Sequence, residues 1–191
     1  PDAGYRSRFD KKDEVARPGY YSVLLKDYGV KAELTATERV GFHRYTFPAT
    51  EEANLIFNIG TRMGESGPVR DASVTYTDDG RIEGGEQTFA GERSRTGVGA
   101  GLYLRFDTRE RQQVGLKIGL SYTSVENARL NLEKEAARKD FDRVRREAND
   151  TWEEALGRLR VEGGLHDDRV KFYTGLFHAL LGRGLASDVN G

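Results

Sequence analysis

The sequence predicts a mainly β fold, an antiparallel β-sandwich, followed by a helical region, and a change of periodicity divides the two. Up to about Thr123, apolar residues recur at every second position, whereas after Thr123 they recur with helical spacing. The first region contains many short apolar segments separated by polar turns, with no helical pattern between them. Strands connected in this way form antiparallel sheets or sandwiches rather than βαβ folds.

The strand segments are short. In residues 32–37, Ala32, Leu34 and Ala36 alternate with polar residues, which predicts a strand with these three side chains on its buried face. The same alternation over residues 114–123 predicts the last strand. Further strands are predicted at 20–28, 42–47, 55–59, 73–77 and 102–106.

The helical region begins with a capping-box pattern, in which Thr123 is followed three residues later by Glu126. This pattern predicts a helix from 126 to about 138. Asp140 can cap a second helix, because its side chain can accept a hydrogen bond from an otherwise unpaired amide of the first turn. We predict that residues 126–160 are mainly helical, with one break near Lys139 and Asp140.

A third amphipathic segment spans residues 170–181, between Gly163-Gly164 and the glycines at 182 and 184. Glycine pairs of this kind end helices, because they adopt positive φ angles easily and are poor helix formers. The apolar stripe of the segment consists of Tyr173, Phe177 and Leu180.

Composition excludes several classes of function. The 191 residues contain 30 Lys and Arg against 31 Asp and Glu, with both signs scattered, which argues against nucleic acid or an anionic membrane as the main partner. No apolar stretch approaches the roughly 20 residues that cross a bilayer. The chain has no cysteine, so it offers no disulfide and no thiolate metal site. It starts at Pro1 and its only methionine is Met63, so we expect a piece of a longer protein, with any signal peptide upstream.

The three histidines, His43, His166 and His178, do not have the spacing of a metal site. His178 is flanked by apolar residues, and His43 shares strand parity with Tyr45. We therefore predict that His43 and His178 are structural, and no metal site is predicted from this chain's residues.

Three short motifs have weak functional signals. The run of Gly97, Gly99 and Gly101 is followed by another strand rather than a helix, so it indicates a bulge or close strand approach rather than a phosphate-binding loop. Asp78-Asp79-Gly80 suits a tight hairpin. The terminal Asp188-Val189-Asn190-Gly191 resembles part of a calcium loop, but it lacks the third acidic position before the glycine.

Adjacent acidic residues occur at several places and usually form solvated surface. The pair Asp13-Glu14 differs in context, because it lies in a polar segment immediately before the Pro18-Gly19 turn. Binding groups are often placed on loops that a rigid sheet supports. The remaining pairs are Glu51-Glu52, Asp78-Asp79, Glu153-Glu154 and Asp167-Asp168.

Three blocks of sequence, in order, resemble glycoside hydrolase family 92. The first runs from Pro18-Gly19-Tyr20-Tyr21-Ser22-Val23-Leu24-Leu25 through Asp27-Tyr28-Gly29-Val30-Lys31-Ala32-Glu33-Leu34-Thr35-Ala36-Thr37 to Arg39-Val40-Gly41-Phe42-His43-Arg44-Tyr45-Thr46-Phe47-Pro48. The second is Gly119-Leu120-Ser121-Tyr122-Thr123-Ser124-Val125-Glu126-Asn127-Ala128-Arg129-Leu130-Asn131-Leu132-Glu133. The third spans 152–164 and continues through Phe172-Tyr173-Thr174, His178-Ala179-Leu180-Leu181 and Ser187-Asp188-Val189-Asn190-Gly191.

The resemblance implies a supersandwich-like N-terminal β domain, incomplete at its N-terminus, in residues 1–123, a helical linker in 124–165, and the start of an (α/α)6 catalytic barrel in 166–191. Members of the family are exo-acting, calcium-dependent, inverting α-mannosidases. Inversion requires a general acid and a general base about 6.5–9.5 Å apart. The resemblance places both groups, and most calcium ligands, beyond Gly191. It also implies that barrel helices normally cover Tyr173, Phe177 and Leu180, so this stripe should be partly exposed here.

The segment from Asp10 to Glu14 departs from the family pattern. Where many relatives have Ser-His, then Lys or Glu, then Asn-Glu, this chain has Asp10-Lys11-Lys12-Asp13-Glu14, and only Glu14 matches outright. The family places this loop near the sugar site. The resemblance therefore implies that Lys11, Asp13 and Glu14 are substrate-binding residues.

The sequence is thus interpreted as part of a secreted, periplasmic or cell-surface α-mannosidase that processes mannose-containing glycans such as N-glycans. Calcium is the expected cofactor and the (α/α)6 domain the expected intramolecular partner. Without catalytic groups, the chain alone is expected to be inactive. The alternative is a non-catalytic carbohydrate-binding or structural β-sandwich module.

Overall fold

The computed structural model describes residues 6–58, 69–76, 82–88, 101–181 and 184–191. Two compact units are formed, one by Pro1–Pro48 with Gln112–Gly191 and the other by Ala49–Arg111. Two motifs of the sequence analysis, the glycines at 97 and 99 and the Asp78-Asp79-Gly80 step, lie outside the described residues. The division into domains at 123 and 165 stays a prediction.

The described part of the chain contains strands followed by helices, in agreement with the predicted class. A 3-10 turn at Lys11–Asp13 precedes the first strand. The strands are β1 (Glu14–Arg17), β2 (Tyr20–Leu25), β3 (Val30–Ala36), β4 (Val40–Thr46), β5 (Ala53–Asn58), β6 (Val69–Tyr76), β7 (Ile82–Thr88), β8 (Gly101–Phe106) and β9 (Gln113–Gly119). The helices are α1 (Val125–Ala136), α2 (Phe141–Gly157) and α3 (His166–Leu181).

In the first unit, five strands form one antiparallel sheet in the order β1-β2-β3-β4-β9. The tight turn between β1 and β2 needs Gly19, which has a φ angle of 76°. A Cβ atom at this position would lie 3.0 Å from Ala148 of α2, so the turn and the helix approach closely. At the other end of the sheet, a Cβ atom on Gly119 would lie 2.4 Å from the carbonyl oxygen of Ala128 in α1. Glycine at both positions permits the helices to pack directly on the strands.

The second unit contains two strand pairs, both antiparallel. Strand β5 pairs with β8, and β6 pairs with β7. The register between β6 and β7 shifts once, between Val69 and Asp71. On the β5-β8 pair, the cross-strand neighbours Ile56 and Tyr103 are both largely exposed.

The core of the first unit forms where α1 and α2 cover one face of the sheet. Val40 and Phe42 of β4 pack with Ala136 of α1 and Val144 of α2, and all four side chains are almost fully buried. Leu132 and Phe141 extend this cluster at its edges. Burial of apolar area on this scale is the main favourable term in folding, at about 25 cal/mol per Å².

The covered face differs from the one that the alternation in β3 predicted. Glu33 is only 4% exposed and Thr35 is also buried, whereas Ala36, predicted to be inside, is exposed. The prediction was wrong for this strand because it assumed that the polar face meets water, whereas here α2 covers that face. Ala32, on the opposite face, is buried as predicted.

The buried polar face of β3 is stabilised by an ion-pair network. Arg44 donates two hydrogen bonds to Glu33, from Nε at 2.9 Å and from Nη2 at 3.0 Å, and Nη1 donates to both carboxylate oxygens of Asp142 in α2, each at 3.0 Å. Tyr20 donates a further hydrogen bond to Glu33 at 2.8 Å. The guanidinium of Arg44 also lies 4.2 Å from the ring centre of Phe141. The charged groups are thus paired and hydrogen-bonded, as burial requires.

The predicted change from strand to helix near Thr123 is confirmed. Strand β9 ends at Gly119, and the helices α1 and α2 are separated by a short break at residues 137–140. Asp140 is the N-cap of α2 and accepts a hydrogen bond from the Arg143 amide at 2.7 Å, as predicted. Gly163 and Gly164, with φ angles of 78° and 65°, separate α2 from α3.

Two details at this transition were predicted wrongly. The N-cap of α1 is Ser124, which accepts from the Asn127 amide, rather than Thr123. Leu120 and Tyr122 were assigned to the last strand but lie beyond it, and the Tyr122 side chain is 76% exposed. The strand ends early because Asn131 of α1 donates to the Leu120 carbonyl oxygen at 2.8 Å, which turns the chain toward the helix. Strands β1 and β7 were not predicted.

The network around Glu33 predicts a specific acid sensitivity. Burial opposes ionisation of Glu33, but the hydrogen bonds from Arg44 and Tyr20 outweigh it and lower the pKa to about 2 from its ordinary value of 4.5. Because the folded-state pKa is the lower one, Glu33 stabilises the fold above the unfolded-state pKa, and this contribution is lost as the pH falls from about 4.5 to 2.

Glu33→Gln should therefore show a shallower fall in the free energy of unfolding across this window than the wild type. Urea unfolding at a series of pH values measures this, with the exposed Glu153→Gln as the matched control. Parallel curves for the wild type and Glu33→Gln would contradict the assignment.

Candidate functional site

The predicted substrate-binding residues lie at the free edge of the five-stranded sheet. Lys11 and Asp13 are the first and last residues of the 3-10 turn, and Glu14 begins β1. The turn closes on a backbone hydrogen bond from the Asp13 amide to the Asp10 carbonyl oxygen at 3.0 Å. Lys26, in the turn that follows β2, forms an ion pair with Asp10. This ion pair attaches the segment to the neighbouring strand.

Glu14 is the best-held carboxylate of this segment. Its Oε2 accepts from Lys11 Nζ at 2.5 Å, and its Oε1 accepts from the Tyr21 hydroxyl at 2.8 Å. The hydrogen bond from Lys11, followed by that from Tyr21, lowers the pKa of Glu14. Its side chain is mostly buried while that of Lys11 is mostly exposed. Glu14 is therefore an ionised carboxylate held in one orientation, suited to accepting hydrogen bonds rather than to donating a proton.

The structure brings Lys11 and Glu14 together but does not bring Asp13 into their cluster. Asp13 forms no side-chain hydrogen bond or ion pair within the described part of the chain. Lys11 Nζ also lies 5.7 Å from the ring centre of the exposed Phe9. A role for all three residues in substrate binding stays a prediction.

The three histidines lie on different elements but all line one groove between the sheet and the helices. His43 is half-buried on β4, and its Nδ1 lies 2.7 Å from the Tyr45 hydroxyl, so it packs beside an aromatic residue as predicted. Burial lowers the pKa of His43, which favours the neutral ring. His178 contacts Phe177 with ring centres 5.8 Å apart, and His166 begins α3. Within the described ranges, no three His, Asp or Glu side chains are grouped so that they could hold a metal ion.

An open groove of about 1280 Å³ lies between the sheet and the helices α2 and α3. The sheet contributes Tyr21 and His43 to it, and the helices contribute Trp152, Tyr173 and Phe177. The rings of Trp152 and Phe177 are 4.7 Å apart and form the main contact between the two helices. The groove is mostly apolar, and Glu153 supplies the one carboxylate among its described lining residues.

The apolar stripe of α3 is partly exposed, as predicted. Tyr173 and Phe177 are half-buried, and Leu180 is 43% exposed. Tyr173 reaches back to α2, where its hydroxyl donates to the Leu159 carbonyl oxygen at 3.1 Å. In this chain, α3 therefore rests on α2 along one side, and no residue of α3 is fully buried.

A buried polar cluster, not identified from the sequence, surrounds Asp188. Its carboxylate accepts hydrogen bonds from Ser121 at 3.0 Å, Thr123 at 2.6 Å and Asn131 at 2.7 Å. Asn131 is fully buried and Asp188 is 6% exposed. We name Ser121, Thr123, Asn131 and Asp188 the Asp188 cluster. Asp188 lies 57 or more positions from the other three members, so no local spacing indicated the cluster. The calcium-like pattern of residues 188–191 pointed to Asp188 for a different reason.

Comparisons with known proteins show the family of this chain. Two family models match the chain: the glycosyl hydrolase family 92 N-terminal domain over residues 1–91 and the glycosyl hydrolase family 92 catalytic domain over residues 127–191. The chain belongs to glycosyl hydrolase family 92. The resemblance noted in the sequence is thereby confirmed.

Solved structures of the same family match the whole fold. A family 92 α-mannosidase from Bacteroides thetaiotaomicron is 26% identical, with a TM-score of 0.87 over 100% of this chain and 30% of that chain. A second family 92 glycosyl hydrolase is 25% identical, with a TM-score of 0.79, and the match covers 97% of this chain and 30% of that hydrolase's chain. A secreted glycosidase from the fungus Arthroderma benhamiae, itself uncharacterized, is 23% identical over 87% of this chain and 28% of that protein. The chain thus spans less than a third of the length of these relatives.

The geometry at Glu14 predicts an order of effects on its ionisation. Lys11→Ala should raise the pKa of Glu14 more than Tyr21→Phe does, because the hydrogen bond from Lys11 is the larger cause of the lowered value. The measurement is an NMR titration of the Glu14 side-chain carboxyl carbon. Lys12→Ala, which removes an adjacent lysine without a contact to Glu14, is the matched control and should leave the titration unchanged. Equal titration curves for Lys11→Ala and the control would exclude the ion pair.

Proposed function

We propose that this chain is part of an exo-acting α-mannosidase, which releases terminal α-linked mannose from glycans by calcium-dependent, inverting hydrolysis. The observation that carries the proposal is the match of the whole chain to a family 92 α-mannosidase at 26% identity and a TM-score of 0.87. That Bacteroides enzyme has also been solved in complex with mannoimidazole. The proposal transfers its class of substrate to this chain.

The proposed role of the chain within the enzyme is that of scaffold and substrate positioner. Inverting hydrolysis needs one carboxylic acid to protonate the leaving oxygen and one carboxylate to activate water on the opposite face of the sugar. The described lining of the groove offers only Glu153, and Glu14 is held ionised by Lys11 and Tyr21. We therefore place the catalytic acid and base in the part of the family's length that this chain does not span.

The segment from Asp10 to Glu14 is the proposed contribution to substrate binding. Its oriented carboxylate can accept hydrogen bonds from sugar hydroxyls, and Lys11, with an exposed side chain, can donate to them. Orientation of this kind raises the rate only where a reacting centre is also present. The chain alone is accordingly proposed to be inactive.

Calcium dependence is the finer part of the proposal. Calcium binds six to eight oxygen ligands, several of them carboxylates. The described residues do not fit this requirement, since they hold no grouping of three acidic or histidine side chains, and the buried carboxylate of Asp188 already accepts hydrogen bonds from three neutral donors. We therefore assign the ion to catalytic-domain residues outside this chain and derive no step through it.

The proposed location is outside the cytoplasm, either secreted, periplasmic or at the cell surface. The fungal relative is described as a secreted glycosidase, and mannose-rich N-glycans, the proposed substrates, occur on exported proteins. None of the helices in the described part of the chain has the length and apolar content that crossing a bilayer requires.

A non-catalytic carbohydrate-binding module is the second candidate. The lining of the groove favours this candidate. Its walls contain aromatic side chains, and its described lining contains a single carboxylate. The aromatic residues are Tyr21, Trp152, Tyr173 and Phe177. Pockets with a mainly apolar, aromatic lining and a few polar groups are typical ligand sites, and a single carboxylate does not supply the acid and base pair of a glycosidase. The two candidates differ in whether the full-length protein hydrolyses a mannoside.

A paired assay separates the two functions. The 191-residue chain and the full-length protein are each incubated with an aryl α-mannoside and with a mannobiose, with and without a chelator. We expect mannose release by the full-length protein that the chelator abolishes, and none by the chain alone, because loss of the acid or the base removes most of the rate of glycoside hydrolysis. Calcium-dependent release by the chain itself would contradict the placement of the catalytic groups.

The departures in the Asp10 to Glu14 segment add a second test. If the full-length protein has no activity on any α-mannoside, the double substitution Lys11→His with Asp13→Asn, which introduces the family's residues at these two positions, should recover some activity. Lys12→Ala in the same segment serves as the control. Failure of both the wild type and the restored variant would leave the carbohydrate-binding module as the supported function.

A further inference from the structure

The Asp188 cluster joins two parts of the chain that are far apart in sequence. Ser121 and Thr123 lie in the loop between β9 and α1, Asn131 lies in α1, and Asp188 follows α3. Three more contacts accompany the cluster in the described part of the chain. The Val189 amide donates to Asn131 Oδ1 at 2.9 Å, Arg39 Nε donates to the Ser187 carbonyl oxygen at 2.7 Å, and Asn190 Nδ2 donates to Asn127 Oδ1 at 3.3 Å. The segment after α3 is thus fastened to the helix that leaves the sheet.

The directions of the hydrogen bonds require an acceptor at position 188. Ser121 Oγ accepts from the Thr123 amide, and Thr123 Oγ1 accepts from the Asn127 side chain. The two hydroxyl oxygens also lie 3.0 Å apart, and each lies within hydrogen-bond distance of Asp188 Oδ2, to which a hydroxyl can only donate. Asn131 Nδ2 donates one hydrogen to the Leu120 carbonyl oxygen and the other to Asp188. All three neighbours therefore donate, and a carboxylate, which only accepts, is the side chain that satisfies them.

An amide at this position would not satisfy the same partners. Asn in place of Asp188 has one oxygen and one NH2 group, so at least one donor of the cluster would face another donor. A buried donor without an acceptor is costly, because it has lost its hydrogen bonds to water. Asp188 forms no ion pair in the described part of the chain, and the hydrogen bonds, that from Thr123 first, lower its pKa. Its negative charge is thus held by neutral donors alone.

The cluster matters because little else fixes the far end of α3. The helix has no fully buried residue and rests on α2 through Trp152, Phe177 and the Tyr173 hydroxyl. These contacts involve the middle of α3, whereas residues 184–191 reach the rest of the unit through the Asp188 cluster and through Ser187, Val189 and Asn190. The family model of the catalytic domain covers residues 127–191, so α2, α3 and this segment all lie within the matched catalytic domain.

We infer that Asp188 is a positioning residue, whose carboxylate fixes residues 187–191 on α1 and thereby sets α3 relative to the β sheet. The inference rests on the proposed function for its catalytic consequence. Asp188 is not a substrate ligand in this assignment, because its carboxylate is buried and fully engaged. It acts on the reaction through the placement of α3.

The test compares Asp188→Asn with the wild type in the full-length protein. Amide hydrogen exchange in peptides covering 184–191 and 121–131 should accelerate by about tenfold or more. On an aryl α-mannoside, kcat should fall by about tenfold or more while KM changes by less than about twofold, because misplacement by about 1 Å can cost a factor of about a hundred in rate. Asp167→Asn, which removes an exposed and unpaired carboxylate from α3, is the matched control and should change neither quantity.

A milder pair of variants covers the case in which Asp188→Asn does not fold. Thr123→Val removes one donor of the cluster and Thr123→Ser keeps it, so exchange and kcat should change in the first and return toward the wild type in the second. Unchanged exchange in Asp188→Asn and in Thr123→Val would overturn the inference, as would faster exchange with unchanged kcat. Absence of activity both in the wild-type protein and in the Lys11→His, Asp13→Asn variant would refute the proposed function instead, and the exchange comparison would still decide whether Asp188 holds the segment.

Discussion

The seating of α2 on the sheet is the contact on which the first unit depends. It combines a small apolar core with a set of charged hydrogen bonds. In the core, Val144 packs with Phe42, and the Arg44 guanidinium donates to Glu33 of β3 and to Asp142 of α2. The apolar part supplies most of the free energy, while the charged part supplies direction, since a bidentate guanidinium tolerates little displacement. Breaking one side of such a pair is more costly than never forming it, because the remaining charge stays buried. Helix and sheet therefore hold a single relative position.

Both candidate sites derive their geometry from this frame. Glu14 is oriented by a hydrogen bond from Tyr21 of β2. The turn that leads into β2 contains Gly19, which lies close to Ala148 of α2. At the opposite end, α1 continues from β9 and presents Asn131 to Asp188. The exposed α3 is attached to the same frame at its middle and beyond its end. The family model of the catalytic domain covers residues 127–191, so α2 and α3 belong to the matched region and are attached to this frame by these contacts.

Local patterns predicted the elements well and the environment of their side chains poorly. Strand and helix periodicities, the Asp140 cap and the Gly163-Gly164 break depend on neighbours in sequence, and each was found. The burial of Glu33 was missed because it depends on Arg44 and α2, more than ten and a hundred positions away. The Asp188 cluster was missed for the same reason. Substrate-binding residues were named only through the family resemblance, since nothing in the pattern around Lys11 and Glu14 distinguishes a held carboxylate from a solvated one.

Native-state hydrogen exchange tests the central claim, that the sheet and α2 form one cooperative frame, most directly. Amides of β3, β4 and the middle of α2 should exchange with the same opening free energy, equal to that of global unfolding, because no element of the frame can leave without exposing Phe42 and unpairing Arg44. Arg44→Ala should lower all of these values together. If α2 amides instead exchanged at a much lower free energy than those of β3 and β4, the helix would open independently, and the account of a single frame would be wrong.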